Sequence, residues 1–410
     1  MILLVNALNF APEIVGCGKY TSELVYWLTK KVDLVIVVTT NAYYPYWKCI
    51  SNKYKKTKID NLIIYRSIIF IPNKINGLNK LIHLASFFLF SLPLFIKCIR
   101  YKPDGIFTVC PTIFSAPSSL LVSLLTKVIF KKKLFTWIHF QDFEIEAAFN
   151  LRILKGEWLN NIFLKIEKFL INQFDIASTI SYAMKKKLLS KVKNQKKVKY
   201  LPNFINLDDY KCNFDNKEEN PYYEDLNLEK NLNIIMYSGT INEKLSYKVL
   251  ISAVKSLSYR KDIFWIIAGE GPTKIQIINE LRNYNNVKIL GFQPDEKLSH
   301  WLNFADIHLV PQKLSALDFV LPSKLLGILA SGKPIIGFAT EDSELGRILN
   351  MAGIRLSEEC TQKLIGAIIK LINNPKLRER LGKKGQNYVK DVHEKEEVLN
   401  RFLKEIKNLV

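Results

Sequence analysis

Short apolar segments that alternate with amphipathic stretches constrain the fold of this chain more than any other feature of its sequence. Twelve segments have the length of strands and fall into two series, one before residue 202 and one between residues 234 and 338. The segments are Ile2–Asn6, Leu34–Thr39, Leu62–Arg66, Gly105–Val109, Leu134–Ile138, Ile176–Ile180, Val198–Leu201, Ile234–Tyr237, Phe264–Ala268, Val287–Leu290, Ile307–Val310 and Ile335–Phe338. Helical patterns separate several of them, as over Lys19–Lys31, Lys80–Arg100 and Glu157–Asn172. Strands and helices that alternate at this spacing form parallel sheets with crossover helices, so the sequence predicts an α/β fold with two doubly wound, Rossmann-like domains.

A polar stretch separates the two series of segments. The sequence LPNFINLDDY, residues 201–210, leads directly into the polar residues 211–231. Domain boundaries fall in such stretches because few contacts cross them. We therefore expect one domain over residues 1–205, a second over residues 206–385 and a C-terminal helix over residues 386–410.

Export and membrane-spanning segments are not indicated. The start MILLVNALNF has no basic region before its apolar run, and Pro12 and Glu13 soon follow, so we interpret it as a core strand. The uncharged stretch between Lys80 and Lys97 is interrupted by Pro93 and is shorter than the roughly 20 residues of a span. The six cysteines form no CxxC pair, which favours neither a zinc site nor a disulfide framework. A reducing cytoplasm is the expected location.

The formal net charge is +21, from 59 Lys and Arg residues against 38 Asp and Glu residues. A basic surface of this size attracts anionic partners such as a membrane face, a nucleic acid or a phosphorylated substrate. Nucleic acid is not expected, because no recognition motif is found. Eight lysines between residues 185 and 199 and the run Lys131–Lys133 favour an anionic membrane surface. Apolar residues of the 80–100 stretch would add to this contact: Phe87, Phe88, Phe90 and Phe95. The alternative is a coding bias toward Lys, Asn and Ile, with these phenylalanines packed inside the domain.

The first turn after a strand carries Gly16 and Gly18. Ligands of open α/β sheets bind beyond the carboxyl ends of the strands, where such turns lie. These two glycines would let backbone amides approach a donor phosphate or an acceptor sugar at the start of a helix. A dinucleotide site is not favoured, because Thr21 stands where GxGxxG requires its third glycine. A GxG turn is also common for structural reasons alone.

Three turns of the second domain carry glycines at corresponding places. Lys244 follows the first of these turns, where a fixed cation can stabilise the diphosphate that leaves a nucleotide sugar. The alternative is a solvated lysine at the start of a helix. The predicted donor-binding residues of the three turns are Gly239, Thr240, Lys244, Gly269, Gly271, Gly291 and Phe292.

Two further segments follow predicted strands. Pro322 and Ser323 open a helix with Lys324, and exposed amides at this helix start would face the same site. Helix capping alone is the alternative. His139 and Asp142 follow the fifth strand, where they could bind sugar hydroxyls or act as acid and base.

Taken in this order, the motifs resemble the retaining glycosyltransferase family 4, of GT-B fold, which includes sucrose and glycogen synthases and many bacterial lipopolysaccharide enzymes. The segment NFAPEIVGCGKYTSEL resembles the acceptor-side glycine loop of the family, and LPNFINLDDY resembles its interdomain segment. SGTINEK resembles the donor-phosphate turn, and ILGFQPDEKLSHWLNFADIHLVPQ resembles the region around the base pocket. The resemblance covers nearly the whole chain. It implies two domains that face each other across a crevice, with the C-terminal helix crossing back to the first.

Two short segments are similar to a subgroup of the family, the fucosyl-type transferases of colanic-acid and O-antigen assembly. They are YYPYW at residues 43–47 and HFQDFEIEA at residues 139–147. The family's two-glutamate signature is missing, since Gly327 stands at the position of the second glutamate, which usually holds the ribose. Phe319 stands at the first, with Asp318 beside it as a candidate donor-binding residue. Thr240 replaces the usual phosphate-binding arginine, whereas Lys244 is retained. An altered nucleotide pocket is therefore expected.

The resemblance implies a retaining transferase that moves a sugar from a UDP- or GDP-linked donor to a lipid-diphosphate-linked glycan. Fucose or N-acetyl-L-fucosamine is the favoured sugar, and O-antigen, capsule or exopolysaccharide assembly at the inner face of the bacterial inner membrane is the favoured setting. His139, Asp142 and Lys244 are the candidate catalytic residues. No metal or other cofactor is expected, because no DxD with a metal-site context is seen. A nucleotide-sugar 2-epimerase of the same fold and a non-catalytic glycan- or membrane-binding protein are the alternatives, and the missing glutamate at position 327 favours the latter.

Overall fold

The computed structural model of the protein describes residues 1–13, 16–43, 47–73, 77–110, 113–143, 157–212, 217–316 and 324–410. The chain forms two compact units. The first comprises Met1–Asn203 together with Leu399–Val410, and the second comprises Phe204–Val398.

The first unit is built on an eight-stranded sheet with the order β3-β4-β2-β1-β5-β6-β7-β8. Its strands are β1 Ile2–Ala7, β2 Leu34–Thr40, β3 Lys55–Ile59, β4 Leu62–Ser67, β5 Gly105–Cys110, β6 Phe135–Phe140, β7 Ile176–Thr179 and β8 Val198–Tyr200. Neighbouring strands are parallel except β3 and β4. Every residue of β5 and β6 is buried. Strands of parallel sheets that are covered on both faces therefore appear in sequence as continuous apolar runs.

Helices among the described residues of the first unit connect these strands. They are α1 Cys17–Leu28, α2 Gly77–Cys98, α3 Ala116–Phe130, α4 Glu157–Gln173 and α5 Tyr182–Leu189. Helices α2 and α3 pack on the sheet through Phe95, Cys98 and Val122. By length and composition alone, Leu81–Tyr101 and Ile113–Phe130 could cross a membrane, a criterion that core helices of soluble proteins also meet.

The second unit is built on a six-stranded, fully parallel sheet with the order β11-β10-β9-β12-β13-β14. Its strands are β9 Asn233–Ser238, β10 Ile263–Ala268, β11 Val287–Leu290, β12 Ile307–Val310, β13 Ile335–Phe338 and β14 Gly353–Leu356. Ile234 and Met236 belong to one buried core, and Ile235 and Tyr237 belong to another. Successive side chains of a strand point to opposite faces, so these two cores lie on the two sides of the sheet.

The described residues of the second half of the chain form further helices. They are α6 Tyr222–Asp225, α7 Tyr247–Ser256, α8 Lys274–Leu281, α9 Leu298–Phe304, α10 Lys324–Ala330, α11 Glu344–Ala352, α12 Thr361–Ile372, α13 Pro375–His393 and α14 Lys395–Lys407. The end of α14 belongs to the first unit. There the ring of Phe402 packs against those of Trp137 and Phe107, with 5.0 Å between centroids in both pairs. Buried aromatic contacts of this kind hold the C-terminal segment in the first unit.

The predicted α/β class with two series of mainly parallel strands is confirmed. Two strands were not predicted, the exposed lysine-rich β3 and the half-buried β14, because neither forms a continuous apolar run. Residue 385, where we expect the second domain to end, lies within a helix. Helix α13 begins at Pro375, with Asn374 capping the amide of Leu377, and continues through that position to His393. The C-terminal helix proper is α14.

Candidate functional site

Gly239 forms the turn that directly follows β9. Its φ of +150° lies in a region that residues with a side chain rarely adopt, and its amide donates to the carbonyl oxygen of Ala268 at 2.9 Å. A Cβ at this position would lie 2.7 Å from Nζ of Lys324. Glycine is therefore needed here for the backbone conformation and for the space that the lysine occupies.

Gly269 and Gly271 form the neighbouring turn, after β10, and interlock with the first. Their φ angles are +147° and +153°. A Cβ on Gly269 would lie 1.8 Å from the carbonyl oxygen of Gly239, and one on Gly271 would lie 2.1 Å from that of Ile241. The amide of Ile241 donates to the carbonyl oxygen of Glu270 at 2.9 Å. These glycines allow two turns at the carboxyl ends of adjacent strands to pack without side chains between them.

Lys324 begins α10, and its ammonium lies against the Gly239 turn. Nζ is 4.0 Å from the ring centroid of Tyr237, a cation–π contact. Within the described ranges, no hydrogen-bond acceptor or carboxylate pairs with this ammonium. Burial lowers the pKa of Lys324 to about 7, because a charge removed from water without an anion beside it is disfavoured. A diphosphate at this turn would supply that anion.

Lys244 lies at the end of the same turn. Its amide donates to Oδ1 of Asn242 at 2.9 Å, and its carbonyl oxygen accepts from the amide of Lys313 at 2.8 Å. The adjacent Leu245 pairs with Gln312 in an antiparallel bridge. Two segments of the second unit thus fix the backbone that carries the predicted catalytic lysine.

Gly291 and Phe292 follow β11, at the same edge of the sheet. A Cβ on Gly291 would approach Oε1 of Glu270 to 3.1 Å, a contact that this exposed, flexible side chain can relieve by a small shift. The side chain of Phe292 is 63% exposed. An exposed aromatic ring beside two glycine turns is suited to stacking on a nucleotide base.

His139 lies inside β6 rather than after it, because β6 continues to Phe140. Its Nδ1 is 2.9 Å from Oγ of Ser178, and its Nε2 is 3.0 Å from Nε2 of Gln141. With the amide of Gln141 donating, the proton of the neutral imidazole lies on Nδ1 and is donated to Ser178. Burial lowers the pKa of His139 to about 3. This geometry favours a neutral, hydrogen-bonded ring that orders its neighbours over a positively charged imidazolium at neutral pH.

Asp142 lies just beyond β6. Its Oδ1 accepts a hydrogen bond from the amide of Phe143 at 2.7 Å. Lys187 lies close enough for their charges to interact, with its Nζ 5.6 Å from the ring centroid of Phe143. Burial and the charge of Lys191 lower the pKa of Lys187 to about 8, and Asp142 opposes this shift. The sequence grouped Lys187 only with the basic run, since nothing local connects it to Asp142.

Gly16 and Gly18 stand at the start of α1. Gly16 is the residue before the helix, with φ +60°, and a Cβ there would meet no atom within 4 Å. A Cβ on Gly18 would lie 3.0 Å from the carbonyl oxygen of Glu13. Gly18 thus allows the backbone of Glu13 to pack closely on the helix, whereas glycine is favoured at position 16 by the positive φ angle.

Comparison with known proteins identifies the family. Residues 219–388 match the family model described as glycosyl transferases group 1, a stretch that contains the turns of Gly239, Gly269 and Gly291. The chain is 31% identical to WcaI of Escherichia coli (strain K12), over 99% of this chain and 100% of that protein. WcaI carries the name of a colanic acid biosynthesis glycosyl transferase. The chain belongs to the group 1 glycosyl transferases.

Solved structures share the fold over the whole chain. Sucrose-phosphate synthase from Thermosynechococcus elongatus matches with a TM-score of 0.72 at 15% identity, over 100% of this chain and 99% of that one. HepE (Alr3699) of Anabaena, solved in complex with UDP and glucose, matches with a TM-score of 0.64 at 14% identity, over 100% of both chains. The predicted GT-B fold and the predicted enzyme class, a glycosyl transferase, are confirmed.

In this glycosyl transferase, neighbouring side chains occupy the space next to Gly327, the position at which the family usually has its second glutamate. A Cβ on Gly327 would lie 2.8 Å from Cε1 of Tyr210 and 3.1 Å from Cδ1 of Leu302. Tyr210, from the LPNFINLDDY segment, therefore occupies the space into which a side chain at position 327 would begin. A glutamate could enter only if the tyrosine and the leucine moved.

Several predicted residues of the glycosyl transferase lie outside the described part of the chain. They are Asp318, Phe319, Pro322 and Ser323, together with residues 44–46 of YYPYW and 144–147 of HFQDFEIEA. In the ranges that are described, no group of three or more His, Cys, Asp or Glu side chains could hold a metal ion.

The surface expected to meet a membrane differs from the prediction. Phe87 and Phe95 are buried in the first unit. Lys191 pairs with the buried Glu167, and Lys197 donates to the carbonyl oxygen of Ile171 at 2.8 Å. The part of the prediction that relied on these side chains is therefore wrong, because they hold the fold together.

Other apolar side chains of the first unit are exposed. Helix α3 packs beside both α2 and α4, and all three present apolar residues to solvent. We term these residues the apolar face: Ile82, Leu89, Phe90, Ile96, Leu124, Val128, Ile129, Trp158, Ile162, Ile166 and Phe169. Exposed apolar residues in such number mark an interaction surface.

Proposed function

We propose that this glycosyl transferase moves a sugar, with retention of its anomeric configuration, from a nucleotide sugar to a lipid-diphosphate-linked glycan during polysaccharide assembly. The name of WcaI refers to colanic acid biosynthesis, and HepE was solved with UDP and glucose. Fucose or N-acetyl-L-fucosamine is the proposed sugar, carried by UDP or GDP. These details rest on the resemblance of the short segments 43–47 and 139–147.

The observation that carries the proposal is the ammonium of Lys324 against the Gly239 turn. It lacks an anionic partner within the described residues, and it lies against a glycine turn that packs on the neighbouring turn without side chains between them. Cations and amides fixed in advance stabilise the charge that develops on a leaving diphosphate. Binding a diphosphate at this place is therefore favoured on both electrostatic and steric grounds.

The proposed reaction places the leaving diphosphate beside the ammonium of Lys324. The bond from the anomeric carbon of the sugar to the diphosphate breaks, and its electron pair remains on the diphosphate beside Lys324. The acceptor hydroxyl attacks the same face of the sugar and forms the new glycosidic bond, while its proton passes to a diphosphate oxygen. No protein side chain forms a covalent intermediate in this scheme, which accords with the neutral and buried state of His139.

Incubation of the purified protein with a panel of UDP- and GDP-sugars and a lipid-diphosphate-linked glycan tests the proposal. We expect one donor to be consumed with formation of a glycosylated lipid, whose anomeric configuration, read by NMR, matches that of the donor. Lys324→Gln should lower turnover about 10²-fold, the scale of losing one fixed charge stabiliser. Lys261→Gln, at an exposed lysine before β10, is the matched control.

Consumption of no donor in the panel would contradict the transferase proposal. Interconversion of donor epimers without transfer would favour the epimerase instead. A product of inverted configuration would contradict the front-side mechanism while leaving transfer intact.

We further propose that the protein binds the inner face of the bacterial inner membrane through the apolar face of the first unit. A lipid-linked acceptor holds its reactive sugar at a membrane surface. Apolar residues of a helix can enter the headgroup boundary, and the neighbouring lysines Lys127, Lys131, Lys165 and Lys168 add attraction to anionic lipid.

A further inference from the structure

A cavity of about 510 Å³ opens at the amino-terminal edge of the sheet of the second unit. Asp306, which lines it, directly precedes β12, and Lys333 and Pro334 directly precede β13. The Gly239, Gly269 and Gly291 turns all follow the carboxyl ends of their strands. Strands of a parallel sheet run in one direction, so this cavity and the donor turns lie at opposite edges. It is thus separate from the donor site described above.

Positive charges outnumber negative charges around the cavity. The cavity's volume of about 510 Å³ is typical of small-molecule sites. The charged residues that line it are Lys217, Lys333, Arg378, Lys383, Asp306 and Glu379.

Lys333 is one of the cations that line the cavity. Across the described ranges no acceptor receives a hydrogen bond from its ammonium and no carboxylate pairs with it. Gly332, with φ +72°, ends the segment after α10, and a Cβ on Gly382 of α13 would lie 1.7 Å from its carbonyl oxygen. The backbone before Lys333 is therefore fixed, and Pro334 restricts it from the other side. Burial lowers the pKa of Lys333, which indicates a charge held away from water.

The buried carboxylate of the cavity is already engaged. Asp306 pairs with the ammonium of Lys217, and its Oδ2 accepts from the amide of Ile234 at 2.7 Å. It therefore forms its ion pair with Lys217, and it acts on Lys333 only through its charge, which opposes the lowering of the Lys333 pKa.

Two of the three guanidinium nitrogens of Arg378 are available to bind a ligand. Its Nη1 donates to the carbonyl oxygens of Leu371 and Ile372, at 2.8 Å each, which leaves Nε and Nη2 without an acceptor among the residues that the structure describes. The exposed Lys383 likewise has no such partner. The fixed Arg378 and the fixed Lys333 thus present donors to the same cavity.

We propose that this cavity is a binding site for a small phosphorylated ligand, a phosphomonoester or a diphosphate, held by Lys333, Arg378 and Lys383. A guanidinium with two free donor nitrogens matches the oxygens of a phosphate group, and charge-assisted bonds of this kind are the strong ones. A ligand with two negative charges would neutralise the surplus of cations. A monocarboxylate would neutralise only one of the two surplus positive charges.

Helix α10 allows the two sites to be distinguished. It begins at Lys324, in the donor site, and the residues that follow its end, Ser331 and Gly332, line the cavity. Lys324→Gln therefore removes the donor-site cation without touching the cavity. Pyrophosphate is the probe, titrated calorimetrically into the full-length Lys324→Gln protein.

We expect saturable pyrophosphate binding in that background and at least a tenfold loss of affinity when Lys333→Gln is added, because one buried charge-assisted bond is removed. Lys383→Gln, at an exposed position that folding does not depend on, should weaken binding about threefold. Lys376→Gln, on an exposed lysine of the same helix that does not line the cavity, is the control and should leave affinity unchanged. Thermal melts establish that each variant is folded.

Absence of saturable binding in the Lys324→Gln background would overturn the proposal. An affinity unchanged from the Lys324→Gln parent in both the Lys333→Gln and the Lys383→Gln proteins would do the same, and if Lys333→Gln does not fold, the Lys383→Gln result decides alone. Succinate is the carboxylate arm of the test. If it binds as tightly as pyrophosphate, the assignment to phosphate is overturned.

Discussion

At the scale of single residues, the glycines of two turns in the second unit are needed for backbone packing and are also predicted to bind the ligand. Gly269 approaches the carbonyl oxygen of Gly239 so closely that no side chain fits between them. Sequence reasoning assigned this glycine to ligand binding, and the structure adds a requirement that holds without any ligand. A stability measurement separates the two roles.

We expect Gly269→Ala to lower the free energy of unfolding by about 3 kcal/mol, since the new methyl group overlaps backbone and the φ of +147° is strained for alanine. Gly366→Ala is the matched control. Gly366 is exposed in α12 with open space around it, so alanine should stabilise the protein by up to about 1 kcal/mol. Urea unfolding measures both. Equal stability of the Gly269→Ala and wild-type proteins would show that the turns do not interlock.

Lys324 predicts a pH dependence of donor binding. Its pKa is lowered to about 7 in the free protein, and the diphosphate of a bound donor raises it, because an anion favours the charged form. Binding should therefore take up a proton above pH 7, and affinity should fall as pH rises from 7 toward 9, whereas this group adds no pH dependence below pH 6.

Calorimetric titration of the nucleotide sugar in two buffers of different ionisation enthalpy measures this uptake. The diphosphate diester of a nucleotide sugar exchanges no proton in this range, so the signal belongs to the protein. Lys324→Gln should abolish the uptake. The same uptake at pH 8 in that variant would assign it to another group.

Lys244 carries a separate prediction about turnover. We expect Lys244→Ala to lower turnover about 10²-fold or more with little change in stability, since a partly buried lysine at the end of a turn contributes little to the core. Steady-state rates and thermal melts together measure this. Near-normal turnover would remove Lys244 from the mechanism and leave Lys324 as the diphosphate cation.

At the scale of elements, α2, α3 and α4 each have one side in the core and one side in the apolar face. Val128 and Phe169 are among its most exposed members. Burial of an aromatic side chain from water is worth roughly 2 kcal/mol, and a charge placed at that position is excluded from an apolar layer.

Val128→Glu and Phe169→Glu should each weaken binding to vesicles that contain phosphatidylglycerol by about tenfold. Ile275→Glu, at an exposed apolar residue of the second unit, is the control. Co-sedimentation measures the bound fraction, which should also require anionic lipid and fall steeply with added salt. Equal recovery of all three variants, or of the wild type with neutral vesicles, would contradict membrane binding through this face.

At the scale of the whole molecule, the chemistry is expected to proceed without a metal ion. In the proposed mechanism, Lys324 and Lys244 provide the positive field at the diphosphate in place of Mg²⁺. We expect full activity in excess EDTA. Loss of turnover that added Mg²⁺ or Mn²⁺ restores would show that the donor is bound through a metal.

The sequence by itself determined the class of the fold and the places where its turns occur. Most strands of both sheets are predominantly apolar runs, and the glycines of the second unit's turns follow theirs directly, so both features are local and can be recognised from the sequence alone. The resemblance of these motifs led to the correct family. The edge strands β3 and β14 were not predicted, because most of their residues are exposed or half-buried and form no such run.

The tertiary structure alone decided which side chains are available to act. Among the residues that the structure describes, Lys324 has no anionic partner, and Tyr237 and Gly239, more than eighty residues away in the chain, lie against its ammonium. Phe87 is buried while its neighbour Leu89 is exposed, since only contact with the sheet fixes which side of α2 faces inward. Sequence identifies a charge or an apolar group. Burial, partners and pKa depend on packing between segments that are distant in the chain, and only the folded protein establishes them.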